Sequence, residues 1–288
     1  MNVRRSMGLV SCLLIATGAV SAQTSPKTYV LEYHFKPGQV LEFQSKQSSN
    51  FNTTIQGQSF KTTSELHMVK RWKVLDVSEN RSARVEVANL EIQMRGNDGT
   101  RTIDFDSRNP EKQPAEFANL LLMVGKPLGV VTVSPAGTVS EVKHLIEANG
   151  VDLGLGSVFL PLPEDPVAIG DQWQRDYTLK VTRSNQAVKE FKVLQKYTLE
   201  GVEGAIATVR YKTVLLDPIN DPKLEVQLVQ QQPAGSFEFD LQRGIVVSHS
   251  QDLKKTVVGS FGPGTAMELA IRFRERLKPV APTAKADP

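Results

Sequence analysis

The sequence predicts a mainly β protein in which antiparallel curved sheets form a sandwich or a partly open barrel, with one or two short helices. Three observations favour this class. Apolar and polar residues alternate along many runs, including 83–94, 207–216 and 266–277, turn-forming residues separate these runs, and helical periodicity is sparse. Alternation buries one face of a strand and leaves the other in water, which is typical of antiparallel sheets.

Short polar segments rich in Gly, Asn and Pro lie between the alternating runs. Such residues adopt the tight backbone conformations that reverse a strand, so each segment predicts a hairpin or a close connection. The predicted turns are Gln56-Gly57-Gln58, Ser78-Glu79-Asn80, Pro135-Ala136-Gly137, Ser184-Asn185, Gly201 to Gly204, Arg243-Gly244 and Gly262-Pro263-Gly264.

Two segments have helical spacing. Residues 114–124 place a proline in a first turn and apolar residues three and four positions apart, and Gly125 follows as a stop. Residues 140–149 begin with a serine that can cap a helix, and Gly150 follows them. Each segment predicts a short helix.

The second half of the chain repeats the pattern of the first. The matching segments are 36–43 with 168–173, 72–87 with 197–211, and 129–139 with 235–246. We therefore predict two similar β-meander halves, which are residues 28–160, with an irregular insert near 96–125, and residues 161–277. Any meander of hairpins is partly self-similar, so duplication is a hypothesis.

The stretch PLPEDPVAIGDQW, residues 161–173, predicts the junction between these halves. Its prolines favour extended backbone that does not pair. Gly170 supplies a tight turn, and the Asp171 carboxylate can accept a hydrogen bond from a nearby backbone N–H. Trp173 is then expected to anchor the core at the start of a strand.

The first 22 residues predict a secretory signal peptide, because two arginines precede an apolar run that ends in Val20-Ser21-Ala22. No stretch reaches the roughly 20 apolar residues that a membrane-spanning helix needs. Cys12, the only cysteine, lies within this leader, and a lipoprotein processing site there is disfavoured because the apolar run continues beyond it. The expected mature protein is exported, periplasmic or extracellular, and free of cysteine. Residues 278–288 predict a disordered tail.

Charge is nearly balanced, with 34 basic and 31 acidic residues. The densest basic run, residues 272–276, is interrupted by Phe273 and Glu275, so it predicts a solvated strand face. Nucleic-acid-binding surfaces need basic residues clustered together. We therefore expect no nucleic-acid partner.

A family resemblance rests on three groups of residues. They are Lys36-Pro37-Gly38 near the start, Leu162, Pro163, Pro166, Val167, Gly170, Asp171 and Trp173 in the middle, and Gly235, Phe239, Asp240, Gly244 and Val246 late in the chain. Together they resemble an uncharacterised family of exported bacterial β-rich proteins with LPxxPVxxGDxW and GxxxFDxxxGxV motifs. The resemblance covers most of residues 28–275. It implies a bacterial envelope or extracellular setting and supplies no activity.

The residues that commonly carry catalysis show no recognisable pattern. The histidines lie far apart and form no ligand pair, so no metal is expected. The segment 259–262 lacks the Gly-x-Ser-x-Gly spacing of a nucleophile turn, and the glycine clusters lack nucleotide-binding spacing. Two acid pairs, Glu164 with Asp165 and Asp104 with Asp106, are expected to be solvated. The histidines are His34, His67, His144 and His249. We assign no catalytic, metal or cofactor-binding residue, and no cofactor is expected.

Three functions remain open. The first is a non-catalytic envelope scaffold that binds an unknown envelope component through its surface. The second is a carrier of an apolar ligand or lipid in a curved sheet, with the segments 120–124 and 142–146 as a lid or plug. The third is a hydrolase with dispersed carboxylates. An enzyme is disfavoured, and the sequence ranks the scaffold first.

Overall fold

The computed structural model describes residues 26–146, 153–182, 188–219, 221–229 and 232–279. Fourteen strands and two α-helices occur within this part of the chain. The strands are β1 Thr28–Tyr29, β2 Val40–Ile55, β3 Gln58–Val77, β4 Ala83–Asn97, β5 Thr102–Asp106, β6 Pro127–Val133, β7 Val139–His144, β8 Val167–Ala168, β9 Gln172–Thr182, β10 Val188–Glu203, β11 Ile206–Leu215, β12 Ala234–Asp240, β13 Ile245–Val258 and β14 Thr265–Leu277. The helices are α1 Ala118–Met123 and α2 Pro222–Val229.

Twelve of these strands form one large sheet, in the order β7-β6-β4-β3-β2-β14-β13-β12-β11-β10-β9, with β5 added beside β4. Every paired neighbour in this sheet is antiparallel. A second, two-stranded sheet pairs β1 with β8. The predicted mainly β class, with antiparallel curved sheet and few short helices, is confirmed.

The two halves pair their strands in the same register. Strands β2, β3, β4 and β6 of the first half correspond to β9, β10, β11 and β12 of the second. The matched cross-strand pairs are Leu41–Trp72 with Trp173–Tyr197, Val74–Val85 with Leu199–Val209, and Val87–Gly129 with Tyr211–Gly235. The two meanders meet where β14 pairs with β2.

The main core lies on one face of this sheet, which we call the inner face. Alternation places Leu41 and Phe43 of β2 there, together with Trp72 and Val74 of β3. Leu41 lies directly opposite Trp72, and all four are buried. Burying one such aliphatic or aromatic side chain contributes roughly 1.5–3 kcal/mol. The alternation of apolar and polar residues therefore determines which face of each strand packs into the core.

The junction has the local structure expected from its sequence. Gly170 has φ of 97°, a conformation that glycine adopts readily. The Asp171 carboxylate accepts a hydrogen bond of 2.7 Å from the Ala168 N–H. Trp173 is the second residue of β9. It packs against the main core and stacks on Tyr197 with ring centroids 5.5 Å apart.

One predicted helix is present and the other is wrong. Residues 115–117 form a 3-10 turn that leads into α1, as expected for 114–124. Where a helix was expected from residue 140, β7 pairs with β6 instead. The helical pattern rests on Ser140 as a cap and on the spacing of Val142, Leu145 and Ile146. Val142 lies in β7 opposite Val131, and Leu145 and Ile146 follow the end of this strand at His144.

Helix α2 was not predicted. It packs Leu224 and Leu228 against Phe191 of β10, and Val229 against Met267 and Leu269 of β14. The helix therefore covers the inner face of the sheet at the end of the strands away from the main core.

Several predictions lie outside the described residues. They are the signal peptide 1–22, the turn Ser184-Asn185, residues 147–149 of the expected second helix, and residues 280–288 of the expected tail. None of the described helices is long and apolar enough to cross a lipid bilayer.

Candidate binding site on the inner face

Residues 153–162, which form no β-strand, lie across the inner face of the sheet. We call this segment the strap. Leu155 is buried against β6, where a Cβ on Gly129 would lie 2.5 Å from the Leu155 Cδ1. Phe159 packs against Trp72 of β3 with ring centroids 4.5 Å apart. At its far end the strap reaches β9, where the Trp173 Nε1 donates to the Pro161 carbonyl at 3.4 Å.

Hydrogen bonds fix the strap to the rest of the fold. The Tyr33 hydroxyl donates to the Leu160 carbonyl at 3.1 Å and accepts from the Leu160 N–H at 3.2 Å. The Leu162 N–H donates to the Ala136 carbonyl at 2.9 Å, in the turn between β6 and β7. The strap is therefore a bound part of the fold.

Two cavities lie between the strap and the sheet. The first, of about 380 Å³, is over the first half and the middle of the sheet. The second, of about 590 Å³, is over the second half. Both are lined by Ser157 and Leu160 of the strap and by His249 and Gln251 of β13. The two cavities therefore share a border in the middle of the inner face.

Their walls combine aromatic and polar side chains. Apolar and aromatic side chains of the first wall are Phe43, Met68, Trp72, Leu128 and Phe273. The second has Tyr177, Leu179, Gln195, Tyr197 and Tyr211, with Arg175 as its charged member among the described lining residues. Such walls suit a ligand with both apolar and polar parts.

His249 stands at the shared border as a neutral imidazole. The Tyr211 hydroxyl lies 2.8 Å from its Nε2 atom, and the Gln251 amide nitrogen lies 3.3 Å from the same atom. Two donors directed at Nε2 assign the ring proton to Nδ1. Burial, with a smaller effect of the Lys70 charge, lowers the pKa of His249 to about 4.

Gly235 of β12 allows this contact between Tyr211 and His249. The strand order places β12 between β11 and β13, so the tyrosine side chain must pass over β12. A Cβ on Gly235 would lie 2.0 Å from the Ser250 carbonyl oxygen and 3.0 Å from the Tyr211 hydroxyl. Any larger residue at 235 would therefore disturb both the pairing and the tyrosine.

The first cavity contains an ion pair. The Lys70 ammonium lies 2.7 Å from the Glu275 carboxylate, and it lies 5.6 Å from the centre of the Phe273 ring. Both charged side chains are largely buried, at 23% and 14% exposure. The two opposite charges cancel, so this ion pair makes the wall of the first cavity polar and adds no net charge to it.

Trp72 lines this cavity with its ring. The ring is buried, and the indole Nε1–H has no hydrogen-bond partner among the described residues. This nitrogen has almost no accessible surface, so the ring presents its apolar part to the cavity.

The residues considered for catalysis do not come together. Glu164 and Asp165 are exposed in the junction. Asp104 pairs with Arg95, and Asp106 with Arg108, on the surface near β5. Ser260 lies in the connection between β13 and β14, beside the predicted turn Gly262-Pro263-Gly264.

The four histidines have separate places in the fold. His67 lies on the outer face of β3 near Glu65, His144 ends β7, and His34 contacts Gly244. His249 alone lines the two cavities. Among the described residues no group of three or more His, Cys, Asp or Glu is placed to hold a metal ion.

Sequence reasoning missed Lys70, Glu275 and Arg175. For Glu275 a signal existed, because alternation in β14 puts it on the face of Phe273 and Leu269, while Arg274 points outward to Asp252. The segments 120–124 and 142–146, expected as a lid or plug, do not appear among the described lining residues of either cavity. Met123, Val142 and Ile146 pack against the main core instead. The strap and α2 cover the inner face, and Leu122 of α1 is 59% exposed.

Comparisons with known proteins give no family. No family model matches the chain, and no curated protein matches it. The resemblance to an uncharacterised exported family therefore stays a prediction.

Three solved structures show distant similarity. A structure of lipovitellin, described for its lipid–protein interactions, has a TM-score of 0.45 at 13% identity over 87% of this chain and 27% of that one. This chain thus spans about a quarter of that protein's length. DynF from the dynemicin biosynthesis pathway of Micromonospora chersina has a TM-score of 0.20 at 8% identity, over 94% of each chain. A DUF1329 family protein from Desulfovibrio piger has 0.16 at 9%, over 85% of this chain and 87% of that one. At such scores these similarities carry no argument about function.

Proposed function

We propose that the protein binds and carries an amphipathic small molecule on the inner face of its sheet, beneath the strap. The observation that carries this proposal is the pair of cavities, about 380 and 590 Å³, which share His249 and Gln251 in their walls. Ligand sites in proteins are commonly about 300–1,000 Å³, mostly apolar, with a few placed polar groups. The predicted leader at residues 1–22 supports an exported setting for this carrier.

The cavities favour a carrier over the two other functions. A scaffold that acts through its outer surface needs no internal space. A glycosidase needs two carboxylates about 5–10 Å apart, but among the described lining residues Glu275 is the one acid, and it is paired with Lys70. The inner face therefore supports binding better than hydrolysis.

Native mass spectrometry tests this proposal. Protein purified from its own source under gentle conditions is expected to carry a bound amphipathic molecule that organic extraction removes. The extracted protein should then bind an added amphiphile and quench the fluorescence of Trp72, which lines the first cavity. A clean protein mass together with no uptake of added amphiphiles would contradict the proposal.

A further inference from the structure

Arg175 is placed where it can contact a ligand in the second cavity. It pairs in register with Gln195, so its side chain shares the inner face of β9 with Trp173 and Tyr177. It is half-buried and lines the cavity. The guanidinium is therefore part of the binding wall.

No acidic side chain among the described residues forms an ion pair with this guanidinium. None of the ion pairs or side-chain hydrogen bonds found among the described residues involves Arg175, and the described lining of the second cavity contains no Asp or Glu. Two arginines on the outer face differ, since Arg210 pairs with Glu200 and Arg274 with Asp252. A planar guanidinium with free donors is suited to carboxylate or phosphate.

Tyr177 supplies a second free donor beside Arg175. The two residues are two positions apart on one strand, so both point to the inner face. The Tyr177 hydroxyl forms no hydrogen bond with a described residue, whereas the hydroxyls of Tyr197 and Tyr211 contact Gln195 and His249. Burial raises the pKa of Tyr177, which keeps this hydroxyl protonated and able to donate.

Among the described residues that line the two cavities, the other charges cancel or are absent. Lys70 is paired with Glu275, and His249 is neutral near pH 7. The described walls of the two cavities therefore carry one net positive charge, which is that of Arg175. A ligand without charge that covered Arg175 would bury an unpaired cation, which is costly, whereas an anion would satisfy it.

On the basis of the proposed function, we infer that the ligand is an amphiphile with a single anionic head, held by Arg175 and the Tyr177 hydroxyl. Its apolar part lies against Phe159, Leu160 and Pro161 of the strap. The shared chemistry is an oxyanion on an apolar chain, which a carboxylate or a phosphate monoester can supply.

Binding of three twelve-carbon probes to the extracted protein tests this inference. They are dodecanoate, dodecyl phosphate and dodecanol. The anions are titrated below their micelle concentrations and the alcohol below its solubility limit, and binding is followed by calorimetry. We expect at least one anion to bind about tenfold or more tightly than dodecanol, and the stronger of the two identifies the head group. Equal binding of the anions and the alcohol would overturn the role of Arg175 and leave the carrier proposal standing. If no probe binds, the carrier proposal fails, and the inference fails with it.

Variants then locate the head group. Arg175→Gln should weaken binding of the preferred anion about tenfold to hundredfold, the range for a lost charged hydrogen bond, and leave dodecanol binding unchanged. Arg175→Lys should retain part of the anion preference. Arg210→Gln, which removes an arginine from the outer face, is the matched control and should change neither affinity. Unchanged anion binding in Arg175→Gln, with a wild-type melting temperature, would contradict the inference.

Discussion

The two halves of the sheet share one pairing register but have different inner surfaces. In the first half, Gly129 makes room for Leu155 of the strap. In the second half, its register counterpart Gly235 makes room for Tyr211 to reach His249. The same structural position thus serves dense packing in one meander and a polar contact in the other. The pairing register of the strands is thus the same in both halves. The side chains on the inner face determine where that face is densely packed and where it leaves a cavity.

The tryptophans show this difference most clearly. Trp72 is buried between Phe43 and Phe159, whereas Trp173 is only partly buried and stacks on Tyr197. We expect Trp72→Ala to lower the free energy of unfolding by about 3–5 kcal/mol, the usual cost for a buried tryptophan. Trp173→Ala should cost clearly less. Urea denaturation measures both, and equal losses would show that the two halves are packed alike.

Lowering the pH is expected to destabilise the folded protein through His249, which lies in the second half of the sheet. The pKa of His249 is about 4 in the folded protein and near 6.5 in an unfolded chain. Between these values the unfolded state binds more protons, so stability is fully present above pH 6.5 and falls as the pH is lowered to 4, by on the order of 3 kcal/mol.

The variant His249→Gln isolates this contribution. Its free energy of unfolding should depend less on pH between 6.5 and 4 than that of the wild type. His67→Gln, on the outer face of β3, is the control and should keep the wild-type profile. If His249→Gln and the wild type gave parallel profiles, burial of a neutral His249 would be refuted.

Substitution of the two corresponding glycines, Gly129 and Gly235, is expected to have a smaller effect on stability. Gly129→Ala and Gly235→Ala should each cost about 1–3 kcal/mol, because the added methyl group meets backbone atoms at 2.7 Å and 2.0 Å. Gly156→Ala in the strap is the control, since a Cβ there meets nothing within 4 Å. Thermal melts report all three, and a neutral Gly235→Ala would show that β12 tolerates a side chain below Tyr211.

Much of the fold was predictable because alternation and turn chemistry are local signals. The strands β4, β11 and β14 follow runs read directly from the sequence, and the turns at Gly57, Gly137 and Gly244 fall between strands. Strand β7 was misread because Ser140 resembles a helix cap and Val142, Leu145 and Ile146 have helical spacing, although the last two follow the end of the strand.

The site was much less predictable, because it depends on contacts between distant residues. The strap has no periodicity, and its position follows from Gly129, Tyr33 and Trp72, which are far away in sequence. Lys70 and Glu275 are 205 positions apart and meet only when β14 closes onto β2 and β3. Arg175 resembles any other strand arginine until its neighbours are known.

The most direct test of the central claim is to fill the second cavity and measure ligand uptake. Gln195→Trp adds an indole to the wall of that cavity, and Lys196→Trp adds the same ring to the outer face of the same strand. Native mass spectrometry of both variants, loaded with the same amphiphile, should show uptake lost in Gln195→Trp and retained in Lys196→Trp. Full uptake by a folded Gln195→Trp protein would contradict a ligand site between the strap and the sheet.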